Sequence, residues 1–147
     1  AGNLYTSSKI ATEQIIKNFN LLYNLNYTIL RYSTVYGMHN RGVDVITLFI
    51  NKAKNNKNIK VHGNGLQTRD FVHIDDVVRA NILAMESNIK HEFFNVGTGN
   101  SISILDLANV IIHASGLSSL TFSLKSTQKS RNPGRIIPAQ IHVYIYP

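Results

Sequence analysis

Two hydrophobic periods take turns along this chain, and that alternation constrains the fold more than any other feature. From Tyr5 to about Asn24 the apolar residues Ala11, Ile15, Phe19 and Leu22 recur at helical spacing and form one stripe, with Tyr5 and Lys9 along its edge. The run that follows, YTILRY, is β-branched and aromatic, as a buried strand is. STVYGMHNRG then reads as a loop, VITLFINKAKNN as a helix with a polar end, and IKVHG as a short strand before the turn signal Asn64-Gly65. RDFVHIDDVVRANILAME starts extended and becomes helical to about Glu86, with Asp75 or Asp76 as the expected N-cap. FFNV is another strand. Ser103, three residues before Asp106, opens the helix ILDLANVIIHA as a capping-box candidate. Strands alternating with helices predict an α/β fold with a largely parallel sheet. After Leu124 the chain turns polar through KSTQKSRNPGR and ends in the strand-like IHVYIYP, without a closing helix or an internal repeat.

Composition narrows the function classes. A chain of 147 residues is long enough for one modest core, and 44% apolar with 16% charged residues excludes a disordered composition. There is no cysteine, so disulfides and thiolate metal sites are excluded, and a reducing, cytoplasmic compartment is compatible. No apolar run is long enough to cross a bilayer. The six histidines, His39, His62, His73, His91, His113 and His142, are scattered without metal-ligand spacing, so no metal is expected. No G-x-S-x-G elbow exists, which leaves a hydrolase unsupported. The net charge of +7 suits anionic partners, and a solvated surface in a Lys- and Asn-rich sequence explains it more simply. The densest basic run, NKAKNNKNIK, carries no aromatic stacking platforms, which counts against single-stranded nucleic acid.

The most chemically suggestive spacing is Tyr5-x-x-x-Lys9, because residues four apart on a helix are surface neighbours. A free tyrosine titrates near ~10 and is a poor base at neutral pH, but a nearby ammonium favours the phenolate. Such a pair suits acid/base work on a hydroxyl. On spacing alone, an amphipathic surface pair satisfies the same pattern.

The surrounding residues add a resemblance. YTSSK with Ile10, Ala11 and Glu13, followed by a strand ending LRYSTVYG, resembles the extended short-chain dehydrogenase/reductases, and within them the NAD-dependent epimerase/dehydratase family that acts on nucleotide sugars. HGNGLQTRDFVHIDDVVRAN is similar to that family's G-x-G-x-x-x-R-D-F/Y-x-x-V-x-D stretch, and FFNVGTGNSISILDL to its N-V-G-x-G-x-x-x-S-x-x-x-L stretch. SRNPGR echoes the R-x-G-D/E segment, so the likeness runs from about Leu4 to Arg135.

The resemblance implies an α/β architecture: the C-terminal part of a Rossmann-like parallel sheet plus a smaller α/β substrate-binding lobe. Residues 1–37 are expected to end the NAD-binding domain and 38–147 to form mainly the lobe, with the 93–97 strand returning to the sheet. By the same resemblance Tyr5 is the catalytic acid/base and touches the nicotinamide ribose, while Lys9 lowers its pKa and binds the ribose hydroxyls. Ser33 and Val35 match positions lining the nicotinamide pocket. Thr34 stands where many members place an Asn that contacts the sugar nucleotide. Arg69 matches a diphosphate clamp, a role that suits a guanidinium fork, and Arg131 a second phosphate contact, although Arg135 replaces the family's acidic residue.

The implied cofactor is NAD and the implied substrate a nucleotide sugar, with UDP-sugar 4-epimerisation favoured by LRYSTVYG and a 4,6-dehydratase as the alternative. A homodimer is implied through a bundle that includes the Tyr/Lys helix. The family's glycine-rich pyrophosphate loop and its catalytic Ser/Thr find no match here. VGTGNS (96–101) offers Gly97 and Gly99 but Ile102 at the third position, and reads better as a helix-entry turn. The chain is therefore expected to be the C-terminal portion of a longer enzyme, weak in NAD binding and inactive by itself. Outside this class stands a non-catalytic basic binding module.

Overall fold

The computed structural model describes residues 3–38, 44–116, 122–125 and 140–146. In chain order the elements are α1 (Leu4–Tyr23), β1 (Asn26–Tyr32), β2 (Thr34–Tyr36), α2 (Val45–Lys54), β3 (Ile59–His62), β4 (Thr68–His73), α3 (Ile74–Glu86), β5 (Glu92–Val96), β6 (Ser101–Ser103), α4 (Ile104–Ala114), β7 (Phe122–Lys125) and β8 (Gln140–Tyr146). The expected α/β class is what forms. The chain divides into two compact units: Ala1–Val35 with Val72–Gly97 and Gly134–Pro147, and Tyr36–Phe71 with Thr98–Pro133.

In the first unit β1 is the middle strand of the order β5-β1-β8. It pairs parallel with β5, from Thr28↔Glu92 to Tyr32↔Val96, and antiparallel with β8, from Asn26↔Tyr146 to Tyr32↔Gln140. A strand paired on both edges and covered on both faces has no solvated side, which is why YTILRY lacks a two-residue alternation. Its side chains nevertheless sort by parity. Tyr27 and Ile29 pack with Ile16 of α1, while Leu30 and Tyr32 pack with Val77 and Ala84 of α3. Burying Ile29 and Leu30, both nearly inaccessible, contributes about 1.5–3 kcal/mol each.

Helix α1 departs from the expected orientation. The apolar stripe faces outward, with Ile15 53%, Phe19 43% and Leu22 73% exposed. The inward positions are Thr6, Lys9, Glu13, Ile16 and Asn20, spaced three and four apart. Polar anchors explain the inversion. Glu13 receives Arg31 Nε at 2.7 Å and Nη2 at 2.6 Å, and Asn20 Nδ2 donates to the Leu25 carbonyl at 2.9 Å. Asn3 caps the helix by accepting from the Thr6 N–H at 2.8 Å, and Asn24, at φ 53°, closes it in the left-handed region.

In the second unit β3 pairs parallel with β7, and β4 pairs antiparallel with β6 through Thr68↔Ser103, Arg69↔Ile102 and Asp70↔Ser101. Phe49 of α2, Ile59 and Val61 of β3, and Ile104, Leu107 and Ala108 of α4 form the core. Gly65 is required in the turn after β3. Its φ is +72°, and a Cβ there would lie 3.0 Å from Val61 Cγ1 and 3.1 Å from Leu105 Cβ.

Helix α4 starts where expected. Ser103 Oγ accepts from the Asp106 N–H at 3.0 Å, and Asp106 Oδ2 accepts the Ser103 hydroxyl at 2.5 Å. Helix α3 starts two or three residues earlier than the Asp75 or Asp76 cap would set it. His73 is the N-cap, its Nδ1 accepting from the Asp75 N–H at 3.3 Å. Asp75 and Asp76 lie instead in the first turn, where the helix dipole favours negative charge. The expected loop STVYGMHNRG contains β2, and β6 and β7 are further strands without a periodic signature. Strands this short show in the sequence only where a turn signal marks them, as Asn64-Gly65 does for β3.

Candidate functional site

The helical spacing of Tyr5 and Lys9 is realised in the first turns of α1. Lys9 Nζ lies 5.4 Å from the centroid of the Tyr5 ring, which is partly exposed. The hydroxyls between and beside the pair are engaged by the helix itself: Ser8 Oγ donates to the Tyr5 carbonyl at 2.8 Å, Ser7 Oγ to Asn3 at 3.2 Å, and Thr12 Oγ1 to Ser8 at 2.9 Å. That leaves the phenol and the ammonium as the reactive groups of this turn.

Ser33 follows β1 directly. Its N–H donates to the Val96 carbonyl at 2.9 Å, and its buried Oγ has no hydrogen-bond partner among the described residues. A buried hydroxyl without a partner is costly, and an incoming polar group satisfies it. Thr34 is half-buried in β2, and Val35 packs against the Leu30–Tyr32 cluster. Tyr32 belongs to that core, its hydroxyl donating to Asn81 Oδ1 at 2.8 Å. Tyr5, Lys9, Ser33, Thr34 and Val35 all belong to the first unit.

Arg69 stands in the second unit on β4, with Nη1 donating to the Thr68 carbonyl at 2.8 Å. Arg131 lies outside the described residues. Among the described residues no three His, Asp or Glu side chains gather as metal ligands do, and no helix is long and apolar enough to cross a membrane. The first unit also holds a hollow of about 260 Å³ lined by Leu30, Leu83, Ala84, Phe94 and Val96 with Ser87. Its apolar walls do not suit a nucleotide.

Two charged groups escaped the sequence reading. Arg31 sits inside an apolar strand, and a buried charge requires a partner. That signal points to Glu13, whose bidentate pair with Arg31 lies under α1, while the Phe93 ring stacks on the guanidinium at 4.3 Å. The hydrogen bond to Glu13 raises the Arg31 pKa against the opposing effect of burial. The second is Asp70, next in sequence to the Arg69 cation. Its Oδ1 instead accepts the Thr98 hydroxyl at 2.6 Å and the Thr98 N–H at 3.0 Å, and its Oδ2 accepts the Gly99 N–H at 3.0 Å. Burial pushes this carboxyl up, but the three hydrogen bonds outweigh it and hold the pKa below its ordinary value.

This geometry also decides the role of VGTGNS. The amides that a glycine-rich loop would offer to a pyrophosphate already face a carboxylate of the same chain. The turn leads through β6 into α4 and is no dinucleotide loop.

The chain is similar to several known proteins in sequence and in fold. A Methanocaldococcus jannaschii protein named for UDP-glucose 4-epimerase activity is 44% identical over 115 residues, covering 76% of this chain and 37% of that protein. The dTDP-D-glucose 4,6-dehydratase of Bos taurus is 37% identical over 110 residues, covering 75% of this chain and 31% of the enzyme. The crystal structure of the Thermotoga maritima UDP-glucose 4-epimerase with UDP-glucose superposes with a TM-score of 0.78 at 34% identity, over 85% of this chain and 41% of that one. The chain thus spans less than half the length of the relatives it matches. The pattern of the NAD dependent epimerase/dehydratase family matches residues 1–97, two thirds of the sequence, and the chain belongs to that family.

Proposed function

We propose that this chain is the part of a nucleotide-sugar epimerase that carries its acid/base pair and a diphosphate contact, acting on a UDP-sugar at C4. The observation that carries this reading is the Lys9 ammonium over the Tyr5 ring on an accessible turn. The Tyr5 oxygen takes the proton from the sugar hydroxyl and later returns it, while Lys9 holds the charge beside it. NAD, when bound, would supply the reversible hydride chemistry at the sugar carbon.

The residues present fit the nicotinamide-ribose end of that cofactor. Lys9 would hold the ribose hydroxyls, and Ser33 Oγ is a buried polar atom in need of a partner. Val35 lines the same stretch, and Thr34 would contact the sugar nucleotide. The pyrophosphate end finds no free amide cradle at the 98–99 turn, since Asp70 faces it. We therefore expect the 147-residue chain alone to bind NAD weakly and to turn over no sugar nucleotide, which calorimetry with NAD checks. Arg69, and Arg131 by its motif, would hold the substrate's phosphates.

A 4,6-dehydratase is the second reading, favoured by the 37% identity to the bovine enzyme. The outward apolar face of α1, with Leu4, Ile15 and Leu22, supports a homodimer of the full-length protein, and the cysteine-free composition suits the cytoplasm. The test is Tyr5→Phe in the full-length protein: kcat falls by about 10²–10⁴ with NAD binding retained. Unchanged turnover refutes the assignment.

A further inference from the structure

Resting on the nucleotide-sugar reading above, we propose that Asp70 is a positioning residue for Arg69. It fixes the backbone from which the guanidinium reaches a nucleoside diphosphate. The two residues are consecutive on β4, so their side chains leave opposite faces of the strand. On its own face Asp70 accepts three hydrogen bonds from Thr98 and Gly99, at 2.6, 3.0 and 3.0 Å.

These bonds stand at the end of a short ladder. β4 and β6 exchange three residue pairs, and Asp70↔Ser101 is the last, next to the turn that Asp70 holds. So short a ladder is weak by itself, and charge-assisted bonds donated by two successive amides to one carboxylate are strong enough to set its register. Arg69 occupies the middle pair, opposite Ile102. Asp70 is thus engaged by the turn, not by its neighbouring cation. Its charge stabilises the strand carrying Arg69, and Gly99, at φ +77° with open space around it, shapes the turn to present its N–H.

The test uses UDP and uridine, with dTDP and thymidine as a second pair, titrated into the purified protein and followed by amide NMR. Asp70→Asn keeps one acceptor oxygen and turns an NH₂ toward the Gly99 N–H. Thr98→Val removes only the hydroxyl donor, and serves if the first variant does not fold. The expected result is a diphosphate affinity about tenfold weaker in Asp70→Asn, and less so in Thr98→Val, with nucleoside affinity unchanged. In an Arg69→Ala background neither change weakens the diphosphate further. Hydrogen exchange at the amides of Thr98, Gly99 and β6 speeds up in parallel. The proposal is overturned if Asp70→Asn leaves diphosphate affinity intact while Arg69→Ala lowers it, if nucleoside and diphosphate weaken alike, or if β6 exchange does not change. If Arg69→Ala itself has no effect on diphosphate binding, the nucleotide-sugar reading of Arg69 falls, and this role falls with it.

Discussion

Replacing Glu13 with alanine probes the anchor that turns α1 over. The substitution removes both acceptors of Arg31, at 2.7 and 2.6 Å, and leaves the guanidinium beneath a helix. Breaking a fully buried pair costs about 3–5 kcal/mol, whereas an exposed pair is worth about 0.2–1 kcal/mol. The side chains here are 10% exposed for Glu13 and 31% for Arg31, so the pair stands between these limits. The Phe93 face, 4.3 Å away, retains about 0.5–1 kcal/mol of attraction for the cation. We expect Glu13→Ala to cost about 2–3 kcal/mol. Glu13→Gln, which keeps one acceptor, should cost about half as much. The double replacement Glu13→Leu with Arg31→Met should recover most of the loss, because an apolar pair leaves no unpaired charge.

Urea unfolding of the parent protein, these three variants and the single Glu13→Leu and Arg31→Met proteins, followed by far-ultraviolet circular dichroism, gives the coupling. Because the raised pKa of Arg31 lies beyond its already high ordinary value, its contribution is present throughout the neutral range and is lost only as pH rises through the folded value. A cost below about 0.5 kcal/mol for Glu13→Ala, or a double variant no better than the sum of the singles, would show that the helix is held by something else.

Asp70 has a lowered folded pKa, so its stabilisation is present above the unfolded value of 3.8 and is lost as pH falls through the lower folded one. Asp70→Asn should flatten the acid limb of the stability curve below about pH 4, as read by urea midpoints between about pH 3 and 7. Gly65→Ala should cost about 2–4 kcal/mol, since strain at φ +72° adds to contacts of 3.0 and 3.1 Å. Gly99→Ala, at φ +77° in open space, should cost about 1 kcal/mol, and thermal melts rank the two. Ser103→Ala removes the cap of α4 and should cost about 1 kcal/mol by the same measurement, with no effect if the cap is dispensable.

Much of the fold was legible because its signals are local. The helix ILDLANVIIHA carries its own cap, and YTILRY announces a strand paired on both edges. The order of motifs from YTSSK to FFNVGTGNS carried the family. What the sequence concealed was direction and distance. An apolar stripe marks a face that avoids water, but not which neighbour covers it. In α1 the inward face follows Thr6, Lys9, Glu13, Ile16 and Asn20, and Arg31 in the adjoining strand was the clue to that choice. Asp70 and its turn lie 28 residues apart, so no window of sequence shows them together. β6 and β7 exist through pairing with β4 and β3, not through any period of their own.

The polar seat of α1 has a thermodynamic consequence. A helix docked through greasy contacts loosens in the cold and carries a large heat-capacity signature. One docked through an ion pair and amide hydrogen bonds does neither to the same degree. Its release should respond to ionic denaturants more sharply than to urea, because guanidinium chloride screens the pair as well as solvating the chain. Chilling this protein should therefore weaken the α3 side of the sheet before it frees the turn that bears Tyr5 and Lys9.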